Sequence, residues 1–368
     1  MSTGTETFHK TTVRGVGASE KAQGALASIK RVLLEKPFVP HPLFKGGHGQ
    51  TLAGYVWPRR SRLREQVRDE TRLFEVEPES RVLAHCRWQQ EKSRHPTMLL
   101  LHGLEGSTES VYILGTADKA HRAGYNVVRV NLRTCGNTEH LTPTIYHSGM
   151  TGDILRVVRE LVEKDNLTEI FLVGFSMSGN MALRLAGEEA GGLPFALKAL
   201  CAVSPSVDLV SAAQTIALRS NWIYQQSFMR SLRSRMRRKK RLFPELYDIR
   251  GLHRVRTMRQ FDERFTARYG GYRDADDYYA RASSISVIPF IERPTLIIHA
   301  QDDPFIPFEP LRDPSLTENP YVILLAPESG GHVGFIAAES DGEDRFWAEN
   351  RVVEFCQLVR ERSASSAL

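Results

Sequence analysis

The chain has 368 residues, enough to bury a large core, and its 41% hydrophobic and 25% charged content is ordinary for a water-soluble globular protein. Its net charge of +6 is local: Arg230 to Arg241 holds eight cations and no acid, more than the whole excess, which argues against a protein-wide nucleic-acid surface. The apolar runs fall far short of the ~20 residues of a membrane-crossing helix. The polar start from Met1 to Thr7 has no signal-peptide pattern, and Cys86, Cys135, Cys201 and Cys356 read as scattered free thiols, so the expectation is a cytoplasmic protein.

Residues 1–40 read as a polar leader running into a helix, Glu20 to Leu34, ended by Pro37 and Pro40. The stretch from Pro42 to Leu52 is loop-like, with the glycine pair Gly46-Gly47. Thr71 to Val76 and Val82 to Trp88 predict an antiparallel pair at a sheet edge. Buried strands follow at Thr97 to His102, Asn126 to Leu132, Glu169 to Gly174, Lys198 to Val203, Thr295 to Ala300 and Tyr321 to Leu325. Helices are predicted between the first four, at Val111 to Ala123, Gly152 to Lys164 and Met177 to Ala186. Continuous apolar strands alternating with amphipathic helices predict a mostly parallel sheet covered on both faces.

The alternation stops between Pro205 and Pro294, where aromatics and arginines recur at helical spacing. This predicts a helical lid insertion at 206–293 that divides the core into 41–205 and 294–362, with a frayed tail at 363–368.

Gly174-Phe175-Ser176-Met177-Ser178-Gly179 joins a predicted strand to a predicted helix. A serine at such a bend takes a strained backbone, and its neighbours two before and two after must be small to let strand and helix approach. Gly174 and Ser178 fill those places, and the Met177 amide, at the helix start, is aimed where an oxyanion would develop. Serine needs a base to take its proton, and the base needs an orienting carboxylate. Asp303 follows the strand ending at Ala300, in Asp302-Asp303-Pro304-Phe305-Ile306-Pro307, with Asp302 as the fallback. His332 follows the last strand, in Gly330-Gly331-His332-Val333-Gly334. The order Ser…Asp…His, each past a strand, is that of an α/β-hydrolase. The second oxyanion donor is expected from the Leu104 amide in His102-Gly103-Leu104-Glu105-Gly106, where His102 reads as structural.

Arg133 is a candidate for orienting loops or an anionic group. Cys135 is a nucleophile only if the serine fails, and otherwise a small residue at a tight turn. There is no H-E-x-x-H, no paired metal-ligand spacing and no phosphate-binding glycine motif, so neither metal nor cofactor is expected.

Together these segments, with Asn131 to Asn137 and Tyr146-His147-Ser148-Gly149, resemble the YheT-like α/β-hydrolases, bacterial relatives of the animal α/β-hydrolase-domain lipases. The resemblance spans Pro40 to Arg362. It implies a serine esterase or lipase with Ser176, Asp303 and His332 as its triad, acting on small-molecule or lipid esters. Two positions depart from the family: Ser178 stands where glycine is usual, and Thr134 where many members carry glycine. Animal relatives carry a membrane anchor ahead of the domain. The basic run, through Arg230, Arg233, Arg237 and Lys240 with apolar neighbours Phe228, Met229, Leu232, Met236, Leu242 and Phe243, is a candidate for holding an anionic membrane surface, the alternative being a solvated lid helix. Acyl transfer by the same triad, or lipid binding without catalysis, are the competing functions.

Overall fold

Runs of buried aliphatic residues pair into one eight-stranded sheet in the computed structural model, which describes residues 23–59, 69–339 and 342–365. The strands are β1 (Glu70–Glu77), β2 (Ser80–Arg87), β3 (Thr97–Leu101), β4 (Asn126–Val130), β5 (Ile170–Phe175), β6 (Leu197–Val203), β7 (Thr295–Ile298) and β8 (Val322–Leu325). Their order across the sheet is β1-β2-β4-β3-β5-β6-β7-β8. Strand β2 runs antiparallel to both of its neighbours, β1 and β4, and β3 through β8 run parallel to one another. A parallel strand returns only through a crossover, and the helices that make the crossovers cover both faces.

Helix α1 occupies 23–34 within the described residues. The others used below are α2 (Gly47–Val56), α3 (Val111–Arg122), α4 (Thr151–Asp165), α5 (Met177–Glu188), α6 (Leu209–Ile216), α7 (Trp222–Leu242), α8 (Ala275–Ala282) and α9 (Trp347–Ser365). Alternation along each strand divides the core into two layers. Leu99, Leu101, Ile170 and Leu172 pack with α4 and α5, whereas Met98, Leu100, Phe171 and Val173 pack with α1, α3 and α9. No helix among the described residues is long and apolar enough to cross a membrane.

The predicted strands and helices of the core agree with these to within a few residues. Two elements were not predicted: α2, in a stretch read as loop, and α9. The polar leader up to residue 22 lies outside the described residues, as do 366–368 of the tail. Between β6 and β7 the chain folds into α6, α7, α8 and short helical turns with an apolar cluster of their own, in which Met229, Leu232 and Met236 of α7 pack on Phe261 and Phe265. Parallel strands end together at their carboxyl edge, so the loops after β3, β5, β7 and β8 converge there.

Candidate active site

Ser176 caps α5 with φ 55 and ψ −119, a conformation that an L-residue keeps only when its surroundings impose it. The imposing contacts are close. A Cβ on Gly174 would lie 2.2 Å from the Ser178 carbonyl oxygen, so strand and helix meet backbone to backbone. The Ser176 amide is held by the Val203 carbonyl at 2.8 Å.

The loop after β8 brings His332 over this turn. Its Nε2 lies 2.9 Å from Ser176 Oγ, and its Nδ1 lies 2.8 Å from Asp303 Oδ2. The other Asp303 oxygen accepts the amides of Phe305 and Ile306 at 2.8 and 3.1 Å. Burial alone would raise the Asp303 pKa, but the facing His332, reinforced by those amides, outweighs it and holds the carboxyl below the usual range. The fallback acid Asp302 faces elsewhere: one of its oxygens accepts the Gly331 amide at 2.9 Å.

The glycines beside His332 have a packing reason. Gly331 has φ +60, and a Cβ there would lie 2.3 Å from the Gly47 carbonyl oxygen, because the loop lies directly on α2. Helix α2 also supplies a residue that motif reading missed. Thr51 Oγ1 accepts the His332 backbone N–H at 2.9 Å while donating to the Gly47 carbonyl at 2.6 Å. The only available signal was the stretch from Pro42 to Leu52, whose role no spacing rule reveals. Asn180 was missed for a similar reason. From α5 its amide nitrogen donates to Ser148 Oγ and the Ala282 carbonyl, both at 2.8 Å, and its oxygen accepts the Ser284 amide at 2.8 Å, tying the helix behind the serine to the insertion.

Met177 is the first residue of α5, so its amide has no acceptor within the helix. Leu104 lines the same cleft as Ser176, Met177 and His332. The loop carrying Leu104 is fixed from several sides: Tyr112 Oη accepts the Gly103 amide at 3.0 Å, and Tyr146 Oη accepts the Glu105 amide at 2.9 Å. His102 is fully buried below it, Nε2 accepting the Leu132 amide at 3.1 Å and Nδ1 lying 2.8 Å from the Gly103 carbonyl. Burial pushes its imidazole down to about 4, so it is neutral and bonded at both nitrogens. Arg133 is buried and holds Asp153 through two bonds of 2.6 and 2.5 Å, with Glu77 at 2.8 Å, which braces loops. Cys135 is buried, and that burial pushes its thiol up to about 12, the opposite of a nucleophile's requirement. Among the described residues no group of three or more His, Cys, Asp or Glu is placed to hold a metal.

Above Ser176 a cleft of about 960 Å³, open to solvent, runs between the strand ends and the insertion. Its walls are largely apolar, with Leu209, Ile216, Phe228, Met258 and Phe305 among them. Of the apolar neighbours of the basic run, Met229, Leu232 and Met236 are buried, Phe228 lines the cleft and Phe243 packs on the insertion's own cluster, whereas Leu242 is exposed. Of the four cations proposed with them, Arg230 and Arg237 are exposed, while Arg233 donates to the Val255 carbonyl and Lys240 to that of Pro244.

A family model described as alpha/beta hydrolase fold matches residues 96–338. YheT of Escherichia coli (strain K12), whose name assigns it provisionally to the esterases, is 32% identical over 86% of this chain and 92% of its own length. A monoacylglycerol lipase of Saccharomyces cerevisiae is 29% identical over 72% of this chain, and the match spans 60% of that protein. Among solved structures, Est1E from Butyrivibrio proteoclasticus superposes with a TM-score of 0.50 at 15% identity, covering 80% of this chain and 99% of the other, which is a likeness of fold.

Proposed function

This chain belongs to the alpha/beta hydrolase fold family as a YheT-like hydrolase of the esterase and lipase type, and on that premise we propose that it cleaves carboxylic esters through an acyl-enzyme on Ser176. The observation that carries the proposal is the unbroken line Ser176 Oγ, His332 imidazole, Asp303 carboxylate, with links of 2.9 and 2.8 Å, at a serine in a strained turn.

In this mechanism His332 Nε2 takes the hydroxyl proton as Oγ attacks the ester carbonyl carbon. Asp303 keeps the imidazole in the tautomer that presents a free Nε2, and it stabilises the imidazolium that forms. The carbonyl oxygen becomes an oxyanion facing the amides of Met177 and Leu104, whose charge stabilisation grows only as the tetrahedral centre forms. Collapse breaks the bond to the alcohol oxygen, which leaves with the proton held by His332. Water then attacks the acyl-enzyme by the same route, returning Ser176 to its starting state.

The apolar cleft supports an ester whose acyl part is hydrocarbon, since burying each methylene contributes about 0.8 kcal/mol. Helices α6 and α7 would act as the lid that sets its depth. A fluorophosphonate probe is the direct test. It should label the native protein and fail on Ser176→Ala, and labelling that survives the substitution would remove Ser176 from the mechanism. A series of p-nitrophenyl esters of rising chain length then measures the reach of the cleft.

A further inference from the structure

Six large apolar side chains left in water lie on two segments near the mouth of the cleft. On α2, His48, Leu52, Tyr55 and Val56 fall on one helical face, and Leu52, Tyr55 and Val56 are 53%, 75% and 71% exposed. On the insertion, Leu218 and the first residues of α7, Trp222 and Ile223, are 55%, 61% and 72% exposed. Contacts between rings join the segments. His48 stacks on Tyr224 with centroids 5.7 Å apart and planes 2° from parallel, and its Nδ1 lies 3.2 Å from the Tyr224 hydroxyl. Tyr224 packs on Phe305 at 4.6 Å, and Phe305 on the His332 ring at 4.7 Å. The exposed surface is thus continuous with the site.

Charge identifies what covers it. The outward stripe of α7 runs from Ile223 through Arg230, Arg237 and Arg241 at spacings of seven, seven and four residues, and these arginines are exposed with no acidic partner among the described residues. The cations on the inner side are matched, Arg235 by Glu105 and Lys239 by the carbonyls of Glu139 and Thr142. A protein partner burying the outer stripe would have to supply an acid for each guanidinium or leave it desolvated and unpaired. Anionic headgroups supply those charges in a mobile plane, and the zone beneath them takes tryptophan, tyrosine and aliphatic side chains.

We propose that the protein docks on an anionic lipid surface through this composite face, with Tyr55, Val56, Trp222 and Ile223 entering the headgroup region and Arg230, Arg237 and Arg241 holding the charge. The docking rests on the surface alone. Only its consequence, that ester enters the cleft from the bilayer side, rests on the hydrolase function. The helix α7 contributes its cationic face and its tip, since its apolar face is spent in the interior.

The test is co-sedimentation of the full chain with phosphatidylcholine vesicles, with and without phosphatidylglycerol, alongside gel filtration and the unfolding midpoint of each variant. Binding should require phosphatidylglycerol and weaken with salt. The combined change Arg230→Gln, Arg237→Gln and Arg241→Gln should lower partitioning on the order of 100-fold, given the contribution of each cation near a charged surface. Trp222→Ser with Ile223→Ser should also release the protein, and both variants should hydrolyse a soluble short-chain ester as the native protein does. Tryptophan emission should move to the blue on vesicle binding and lose that shift in Trp222→Phe, which keeps the apolar bulk. Equal sedimentation at both lipid compositions, no sedimentation at either, or a dimer that dissociates when Trp222 and Ile223 are replaced would overturn the proposal. Vesicle binding by a protein that hydrolyses no ester would sink the hydrolase function and leave the docking in place.

Discussion

Ser178 Oγ donates a hydrogen bond to the backbone carbonyl of His102, both residues fully buried. That bond joins the first turn of α5, which carries the Met177 amide, to the start of the loop after β3, which carries the Leu104 amide. The position where the family usually has glycine therefore holds a cross-link between the two proposed oxyanion donors.

Removing the link while keeping the turn isolates its contribution. Ser178→Ala, and likewise Ser178→Gly, should lower kcat about tenfold with KM nearly unchanged, because the donors matter most when the oxyanion forms. Stability should fall by only about 1 kcal/mol, the net value of one hydrogen bond. Steady-state kinetics on a p-nitrophenyl ester and a urea titration separate the two effects, and an unchanged kcat would reduce Ser178 to a packing residue.

The buried imidazoles make the protein sensitive to mild acid. Burial pushes His102 and His147 down to about 4, and it lowers His299 below its usual value. In the unfolded chain a histidine titrates near 6.5, so between the two values the unfolded state binds protons that the folded state refuses. The associated stability is complete above about pH 6.5 and is lost as pH falls toward 4. His102 and His147 should each cost roughly 2 kcal/mol between about pH 7 and about pH 5, and His299 adds a loss of the same sign. Urea midpoints at the two pH values check this, and His102→Gln, which retains an acceptor for the Leu132 amide, should show a smaller drop.

Thr134 lies at φ 64, in the left-handed region, and its buried hydroxyl has no hydrogen-bond partner among the described residues. Both features explain why glycine suits this position. A side chain there costs ~1–2 kcal/mol in backbone strain, part of which glycine returns through its larger unfolded-state entropy. Thr134→Gly should raise stability by about 1 kcal/mol, and Thr134→Ala, which removes the hydroxyl but keeps the strain, should gain less. Thermal unfolding of the pair against the native chain decides it, and an Ala variant equal to the Gly variant would assign the effect to the hydroxyl alone.

Much of the site was legible because its parts sit at strand ends. Strands such as Thr97–Leu101, Ile170–Phe175 and Thr295–Ile298 are buried at every residue, so they appear as uninterrupted apolar runs, and Ser176 and Asp303 follow two of them, while His332 follows β8, whose burial alternates. Asp303 is read over Asp302 from the acid-Pro-apolar-apolar-Pro pattern that follows it, and its Oδ2 lies 2.8 Å from His332 Nδ1. Helix α2 was illegible for a physical reason. Its buried residues are Gln50, Ala53 and Gly54, with no large apolar side chain, so hydrophobic periodicity carries no signal. Gln50 is buried because it bonds backbone, donating to the Phe44 and Ile336 carbonyls and accepting the Ile336 amide. The two sides of α7 were likewise indistinguishable by composition, since Arg235 and Lys239 are buried while Arg230 and Arg237 are not.

Thr51 tests whether that hidden helix serves the chemistry. Its hydroxyl bridges the His332 amide and the Gly47 carbonyl, fixing the backbone from which the imidazole reaches Ser176. Valine has nearly the same shape but neither donates nor accepts, so Thr51→Val leaves the His332 N–H without this acceptor inside a tight packing contact. The loop should then relax by a fraction of an ångström, and a small displacement of a catalytic group is expensive when the reacting atoms must stay near 3 Å. We expect kcat to fall about 30-fold, with slower fluorophosphonate labelling and little change in KM. Thr51→Ser keeps the hydroxyl and should restore most of the rate, which a purely steric role for the side chain would not produce.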